Sequence, residues 1–183
     1  MDILVACEYS GIVRDAFIAK GHNALSCDLL PTERLGPHIQ GDVREILGRK
    51  WDMIIAFPPC TYLCNAGQNW INREEGRKEK MYNAFTFVRL LYGSCERVAI
   101  ENPPGILNTR WIRPTQIIHP WMFGHPRHKP TCLWLKNLPP LFATVICEEK
   151  KLWVNNLANT PERGKIKAKT FQGIADAMAE QWG

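Results

Sequence analysis

The chain has 183 residues and a formal net charge of +5, from 23 Lys+Arg against 18 Asp+Glu, with a pI near 8.9. That length fits one domain able to bury roughly 70% of its unfolded surface, and the charge suits a polyanionic partner without demanding one. The seven cysteines are odd in number and uncrowded, which argues against a disulfide scaffold, and no apolar run approaches the ~20 residues of a membrane span.

Met1, Asp2 and Ile3 lead directly into an apolar strand rather than a secretory leader, so the expectation is a reduced, intracellular protein. "DILVAC" (2–7) reads as that strand. "GIVRDAFIAKGH" (11–22) then carries Ile12, Val13, Ala16, Phe17 and Ala19 on one helical stripe and stops at Gly21. "NALSCD" (23–28) is a second strand ending in an acid, "HIQGDVREIL" a short strand and turn, and "WDMIIAF" (51–57) a buried strand that runs into Pro58, Pro59 and Cys60. A long amphipathic helix (73–93) follows, with its apolar face from Met81 to Leu91, and then a strand, "RVAIENPPG" (97–105). Short apolar runs alternating with helical patterns predict an α/β fold with a mostly parallel sheet. Cys60 and Glu101 then sit just past the carboxyl ends of two strands, the edge where open α/β sheets bind ligands. Beyond residue 105 the pattern is less regular: a strand at 131–135, a polar and partly basic stretch at 142–168, and a closing helix. Residues 1–105 read as a cofactor and catalytic core and 106–183 as a substrate-side portion of the same domain.

The quoted segments resemble, in order, motifs of the DNA cytosine-5 methyltransferase family. "PPCTYLCNAG" resembles the family's nucleophile loop, including the Ala-Gly that follows the cysteine. "VAIENPPG" resembles its Glu-Asn-Val strand end, with Pro103 in place of the valine. "ACEYSGIVRDAF" resembles the cofactor-binding first turn, "CDLL" the acid after the second strand, and "GDVREI" the Gly-Asp before the catalytic strand. The resemblance covers about 100 residues.

It implies a single Rossmann-like, S-adenosylmethionine-dependent methyltransferase domain. Cys60 would attack cytosine carbon 6 as a thiolate, its pKa lowered by backbone N–H groups and nearby positive charge. Glu101 would bind the ring through a protonated carboxyl. Glu8, Tyr9, Ser10, Gly11, Asp28, Asp42, Phe57 and Pro58 would line the cofactor site. Within it, the amides of the Ser10–Gly11 turn would receive the methionine carboxylate, Asp28 the ribose hydroxyls, and Asp42 the adenine amine. Pro59, Asn102, Arg127, His128 and Lys129 would meet the substrate, with "FGHPRHKPTCLWL" in place of the family's Gly-x-Pro-Gln-x-Arg-x-Arg strand. The expected partner is duplex or single-stranded DNA, with any duplex target flipped out of the stack, and no membrane or metal. The expected compartment is the cytoplasm of a bacterial or phage-infected cell. Family members usually carry a larger target-recognition region; only about 35 residues stand here in its place, as in the stripped forms of phage-like genomes.

Plainer readings stand beside these. Cys60 is also readable as a small buried residue, and Asp28 and Asp42 as turn or cap residues. Trp70, Trp111, Trp121 and Trp134 suit either base stacking or the core. His119, His125, His128 and Cys132 have zinc-ligand chemistry at a spacing that matches no familiar finger. "ERGKIKAK" (162–169) reads as a phosphate grip or a solvated loop. Two alternative functions fit as well: cytosine-5 modification of a free nucleotide, and a non-catalytic nucleic-acid-binding relative.

Overall fold

The computed structural model describes residues 1–65, 73–152 and 163–183. Its centre is β1 (Asp2–Ala6), flanked by β2 (Asn23–Asp28) and β3 (His38–Gln40) on one side and by β4 (Met53–Ala56) and β5 (Val98–Asn102) on the other. These five pair in parallel. Beyond β5 come β8 (Thr131–Lys136) and then β6 (Gln116–Ile118), so the sheet has seven strands in the order 3-2-1-4-5-8-6, with β8 antiparallel to both neighbours. The fold is α/β and Rossmann-like. Chain direction reverses sides between β1 and β4, which opens a crevice past their carboxyl ends.

Because side chains alternate across a strand, β1 sends Ile3 and Val5 to one face, and Leu4 and Ala6 to the other. On the first face pack α1 (Ile12–Ala19), through Val13 and Phe17, and the last helix, α5 (Gln172–Trp182), through Met178 and Trp182. On the second lies α2 (Arg77–Gly93), through Val88 and Leu91. The short helices α3 (Leu107–Arg110) and α4 (Arg163–Ala168), with the two-stranded pair β7 (Arg127–His128) and β9 (Lys151–Leu152), complete the described elements. Among these residues no helix is long and apolar enough to cross a membrane.

The predicted stripe of α1 needs one correction. Ala19 is exposed, whereas Arg14, a charged residue between apolar positions, is fully buried. Its guanidinium pairs with Asp15 at 2.8 Å and donates to Ser26 Oγ, Thr32 Oγ1 and the carbonyls of Arg34 and Leu35, at 3.1–3.3 Å. A buried charge is tolerated only with this degree of satisfaction. Gly11, at φ +75, lies so close that a Cβ there would meet the guanidinium at 2.5 Å. Arg14 therefore holds the loop after β2 against α1 and sets where Asp28 stands. Replacing it by Met keeps the apolar stem but strands two carbonyls and two hydroxyls, and Arg14→Met should cost about 3 kcal/mol, roughly 6–12 °C in Tm. A thermal melt shifted by less than about 2 °C would mean that other contacts hold the loop.

Candidate active site

The loop after β4 and the loop after β5 are joined at three points. Asn102, 1% exposed, donates from its side-chain amide to the Pro58 carbonyl at 2.8 Å. Ile106 N donates to the Leu63 carbonyl at 2.8 Å, next to an isolated bridge between Cys64 and Gly105. At Gly105 a Cβ would run into the Leu63 carbonyl, so the approach of the two backbones requires glycine. Arg77, at the start of α2, braces the loop from the far side: it pairs with Glu74, donates to the Thr61 carbonyl at 3.3 Å and lies 5.0 Å from the Tyr62 ring centroid. These ties bring Cys60 and Glu101 close enough for the carboxyl to act on the thiol electrostatically.

β8 runs antiparallel to β5, with Cys132 opposite Asn102 and Leu133 opposite Glu101, so the residues just before β8 arrive at the carboxyl end of β5. This puts Lys129 beside Glu101 in a small recess that includes Phe57, Thr131 and Phe171. Lys129 Nζ donates to the Lys167 carbonyl at 3.0 Å.

Two larger cavities open at the same sheet edge, one of about 230 Å³ and one of about 440 Å³, with Cys7, Asp28 and Pro59 lining both. The first reaches Gly41, Asp42 and Arg44; the second is lined by Glu8, Tyr9, Ser10, Phe57 and Cys60, and by Lys167 from α4. Tyr9 Oη donates to the Lys165 carbonyl at 2.7 Å and Lys169 pairs with Glu33 at 2.6 Å, fastening α4 across the mouth.

Several expectations change. The Cys60 thiol is not activated: a hydrogen bond with the Cys64 thiol, then burial and the nearby Glu101, push its pKa well above the ordinary thiol range. Two amides at the start of α1 are already taken: Val13 N donates to Glu8 Oε1 at 3.0 Å and Ile12 N to Ser10 Oγ at 3.3 Å. Ser10 itself is 3% exposed and donates to the same Glu8 oxygen at 2.8 Å. Pro58 is buried, and Pro59 is the proline at the cavity wall. Asn102 is a positioning residue rather than a substrate contact, since its amide is spent on Pro58. Arg127 and His128 form β7 and do not line these cavities. Asp42 lines the smaller cavity, but its carboxylate caps the turn at Val43–Glu45 and is gripped by the Arg44 guanidinium, which holds its pKa below the usual range.

Asp28 combines a turn contact with a place at the cavity wall. Oδ1 accepts from Leu30 N at 2.9 Å, as a turn aspartate does, while the residue lines both cavities. The tryptophans in view are packing residues: Trp134 is fully buried, donates to the Ile112 carbonyl at 2.8 Å and stacks on Trp111, and Trp121 stacks on His119. His125 accepts from Gly173 N at 3.0 Å, and Cys132 takes a contact from Asn108 at 3.4 Å. Among the described residues no group of His, Cys, Asp or Glu is arranged to hold a metal. Ala66, Gly67 and Trp70 lie outside the described residues.

Sequence reasoning missed Cys7, Gly105 and Lys167. Cys7 adopts φ +58, a conformation rare outside glycine, at the point where β1 enters the crevice. Nothing in "DILVAC" signals this. Gly105 had a signal, a glycine directly after a proline pair; Lys167 was one lysine in a basic run.

Burial raises the pKa of Glu8, Asp28 and Glu101, with Lys129 partly offsetting the rise at Glu101. An acid whose folded pKa is raised binds its proton more tightly when folded. Its contribution is therefore present below the ordinary carboxyl pKa, about 4.3, and is lost as pH rises through the raised value. Glu101→Gln does not titrate, so its stability relative to wild type should increase between pH 5 and pH 8 in chemical denaturation. A difference independent of pH would place the Glu101 carboxyl in a solvated setting. At the thiol, Cys64→Ala removes the largest cause of the raised pKa, and the rate of iodoacetamide labelling at Cys60, followed by peptide mass spectrometry, should rise several-fold. An unchanged rate would assign the suppression to burial alone.

No protein-family model matches the chain, and no curated protein matches it. Among solved structures, a triple mutant of DNMT2 from Spodoptera frugiperda aligns over 84% of this chain at 14% identity, with a TM-score of 0.45. The chain spans 55% of that protein's length. A likeness this distant carries no inference about activity.

Proposed function

We propose that this protein transfers a methyl group from S-adenosylmethionine to carbon 5 of cytosine in DNA, with Cys60 as the nucleophile and Glu101 as the acid that activates the ring. The observation that carries the reading is the pairing of a thiol and a proton-retaining carboxyl on adjacent strand ends, β4 and β5, bound together by Asn102 and Gly105. The cofactor fits the residues present. The two cavities with Asp28 at their common wall suit a nucleoside with a chain at one end, and Glu8 Oε2, buried and without a hydrogen-bond partner, awaits a donor.

The bound donor supplies the electrophilic methyl group. Cys60 must first give up its proton to solvent through the open cavity, which requires the Cys64 hydrogen bond to yield when substrate enters. The sulfur then bonds to carbon 6, the carbon 5–carbon 6 π pair moves into the ring, and Glu101 passes its proton to nitrogen 3. This requires the protonated carboxyl that the desolvated setting favours. After methylation carbon 5 gives up its proton to a base, the sulfur–carbon bond breaks as the double bond re-forms, and Glu101 recovers its proton. Lys129 beside Glu101 tempers the burial and faces the pocket where a base would enter. The basic helix α4 at the cavity mouth supports a phosphate-bearing substrate.

Incubation with tritiated S-adenosylmethionine and duplex DNA, single-stranded DNA or dCMP tests the reading and its substrate class together. Cys60→Ser should abolish transfer, and Glu101→Gln should lower kcat by on the order of a hundredfold. Activity surviving in Cys60→Ser would overturn the covalent route, and transfer to dCMP alone would move the substrate to the free nucleotide.

A further inference from the structure

The amino-acid end of a methyl donor carries a carboxylate and an ammonium, and two of the amides opening the first helix, those of Ile12 and Val13, are already taken in this protein. Glu8 and Ser10 side chains already occupy the Val13 and Ile12 amides. A second negative charge there would also face the Glu8 carboxyl at close range, which is repulsive in a desolvated site. The carboxylate therefore needs a cation elsewhere on the same wall.

Among the described residues that line the 440 Å³ cavity, the one cationic side chain is Lys167. It is half-buried, forms no ion pair among the described residues, and sits on a helix held in place from two sides. Lys129 Nζ donates to the Lys167 carbonyl at 3.0 Å, and Tyr9, the neighbour of Glu8, donates to the Lys165 carbonyl at 2.7 Å. The Tyr9 bond couples α4 to the turn after β1, so Lys167 and Glu8 face one space from elements that are fastened together. Glu8 is 4% exposed, and its Oε2 has no partner although Oε1 has two. A buried carboxylate oxygen left in that state is rare in folded proteins and marks a position completed by something else.

Resting on the proposed use of a methyl donor, we infer that Lys167 binds the donor's carboxylate and Glu8 its ammonium, so that a charge pair split between α4 and the β1–α1 turn reads the amino-acid end of the ligand. Burial raises the pKa of Glu8, and the hydrogen bonds from Ser10 and Val13 and the charge of Arg14 only partly offset the rise. It also follows that α4 is part of the cofactor site as well as of its mouth, and that cofactor binding tightens the attachment of α4.

Calorimetric titration of the full chain with S-adenosylhomocysteine and with 5′-methylthioadenosine, which lacks the amino-acid end, tests the assignment. Wild type should bind the first at least about thirtyfold more tightly. Lys167→Met and Glu8→Gln should each weaken it by about tenfold while leaving 5′-methylthioadenosine within about twofold. Glu8→Gln keeps an acceptor for Val13 N and Ser10, so the helix cap survives; a thermal melt of each variant checks this. Decarboxylated S-adenosylmethionine should be insensitive to Lys167→Met yet sensitive to Glu8→Gln. Full affinity for S-adenosylhomocysteine in Lys167→Met, or equal loss of both nucleosides, overturns the inference and leaves the methyl-donor reading intact. Wild-type protein that binds none of these nucleosides overturns both.

Discussion

The site depends on the closure of one loop on another. Parallel strands deliver their carboxyl ends to one edge, but adjacency of β4 and β5 does not by itself aim Cys60 and Glu101 at a common point. The amide of Asn102 on the Pro58 carbonyl and the glycine-only contact of Gly105 with Leu63 do that. A net contribution of about 1 kcal/mol for such a hydrogen bond is modest, whereas leaving the Pro58 carbonyl buried and unpaired costs about 1–3 kcal/mol. The tie therefore acts mainly by making every other arrangement of the loop worse. Asn102 keeps its own oxygen unpartnered in doing so, a strain of the kind that accumulates at functional sites.

Electrostatically the edge is set to a neutral resting state. Three carboxyls, Glu8, Asp28 and Glu101, and two thiols, Cys7 and Cys60, all have their pKa values raised by their surroundings. A desolvated acid favours its proton, which suits a carboxyl that must donate to a base nitrogen. The same desolvation opposes a thiolate. On the proposed reaction the conflict is resolved if ligands change the surroundings in sequence: a cationic donor lowers the pKa of Glu8 and Asp28, and an entering nucleotide displaces the Cys64 hydrogen bond.

The fold was largely legible because it rests on periodicity. Strands β1, β2, β4, β5 and β8 and helices α1, α2 and α5 were readable from apolar runs and stripes, and the strand-end positions of Cys60 and Glu101 followed from them. Features that rest on tertiary contact were not. Arg14 reads as a surface charge until Ser26, Thr32 and two carbonyls surround it. A lowered Cys60 pKa is the natural expectation for a strand-end cysteine, and Cys64, four residues on in the same loop, together with burial and the nearby Glu101, reverses it. The different places of Lys129 and of Arg127 and His128 share a cause: β8 starts at Thr131, so Lys129, two residues before it, comes beside Glu101, whereas Arg127 and His128 pair with β9 as β7.

That geometry bears on how so short a chain could recognise anything. A separate recognition region would approach the crevice from outside the sheet. Among the described residues the basic helix over the crevice is α4, and it is anchored inward, by Tyr9 to the first turn, by Lys129 to the Glu101 recess and, just past its end, by Lys169 to Glu33. A six-residue helix committed to three attachments has little surface left to read a base sequence, and a lysine can grip phosphate without distinguishing one nucleotide from another. On the proposed reaction, selectivity at this edge would be for the methyl donor and the target base, and any preference for flanking nucleotides would come from outside these contacts.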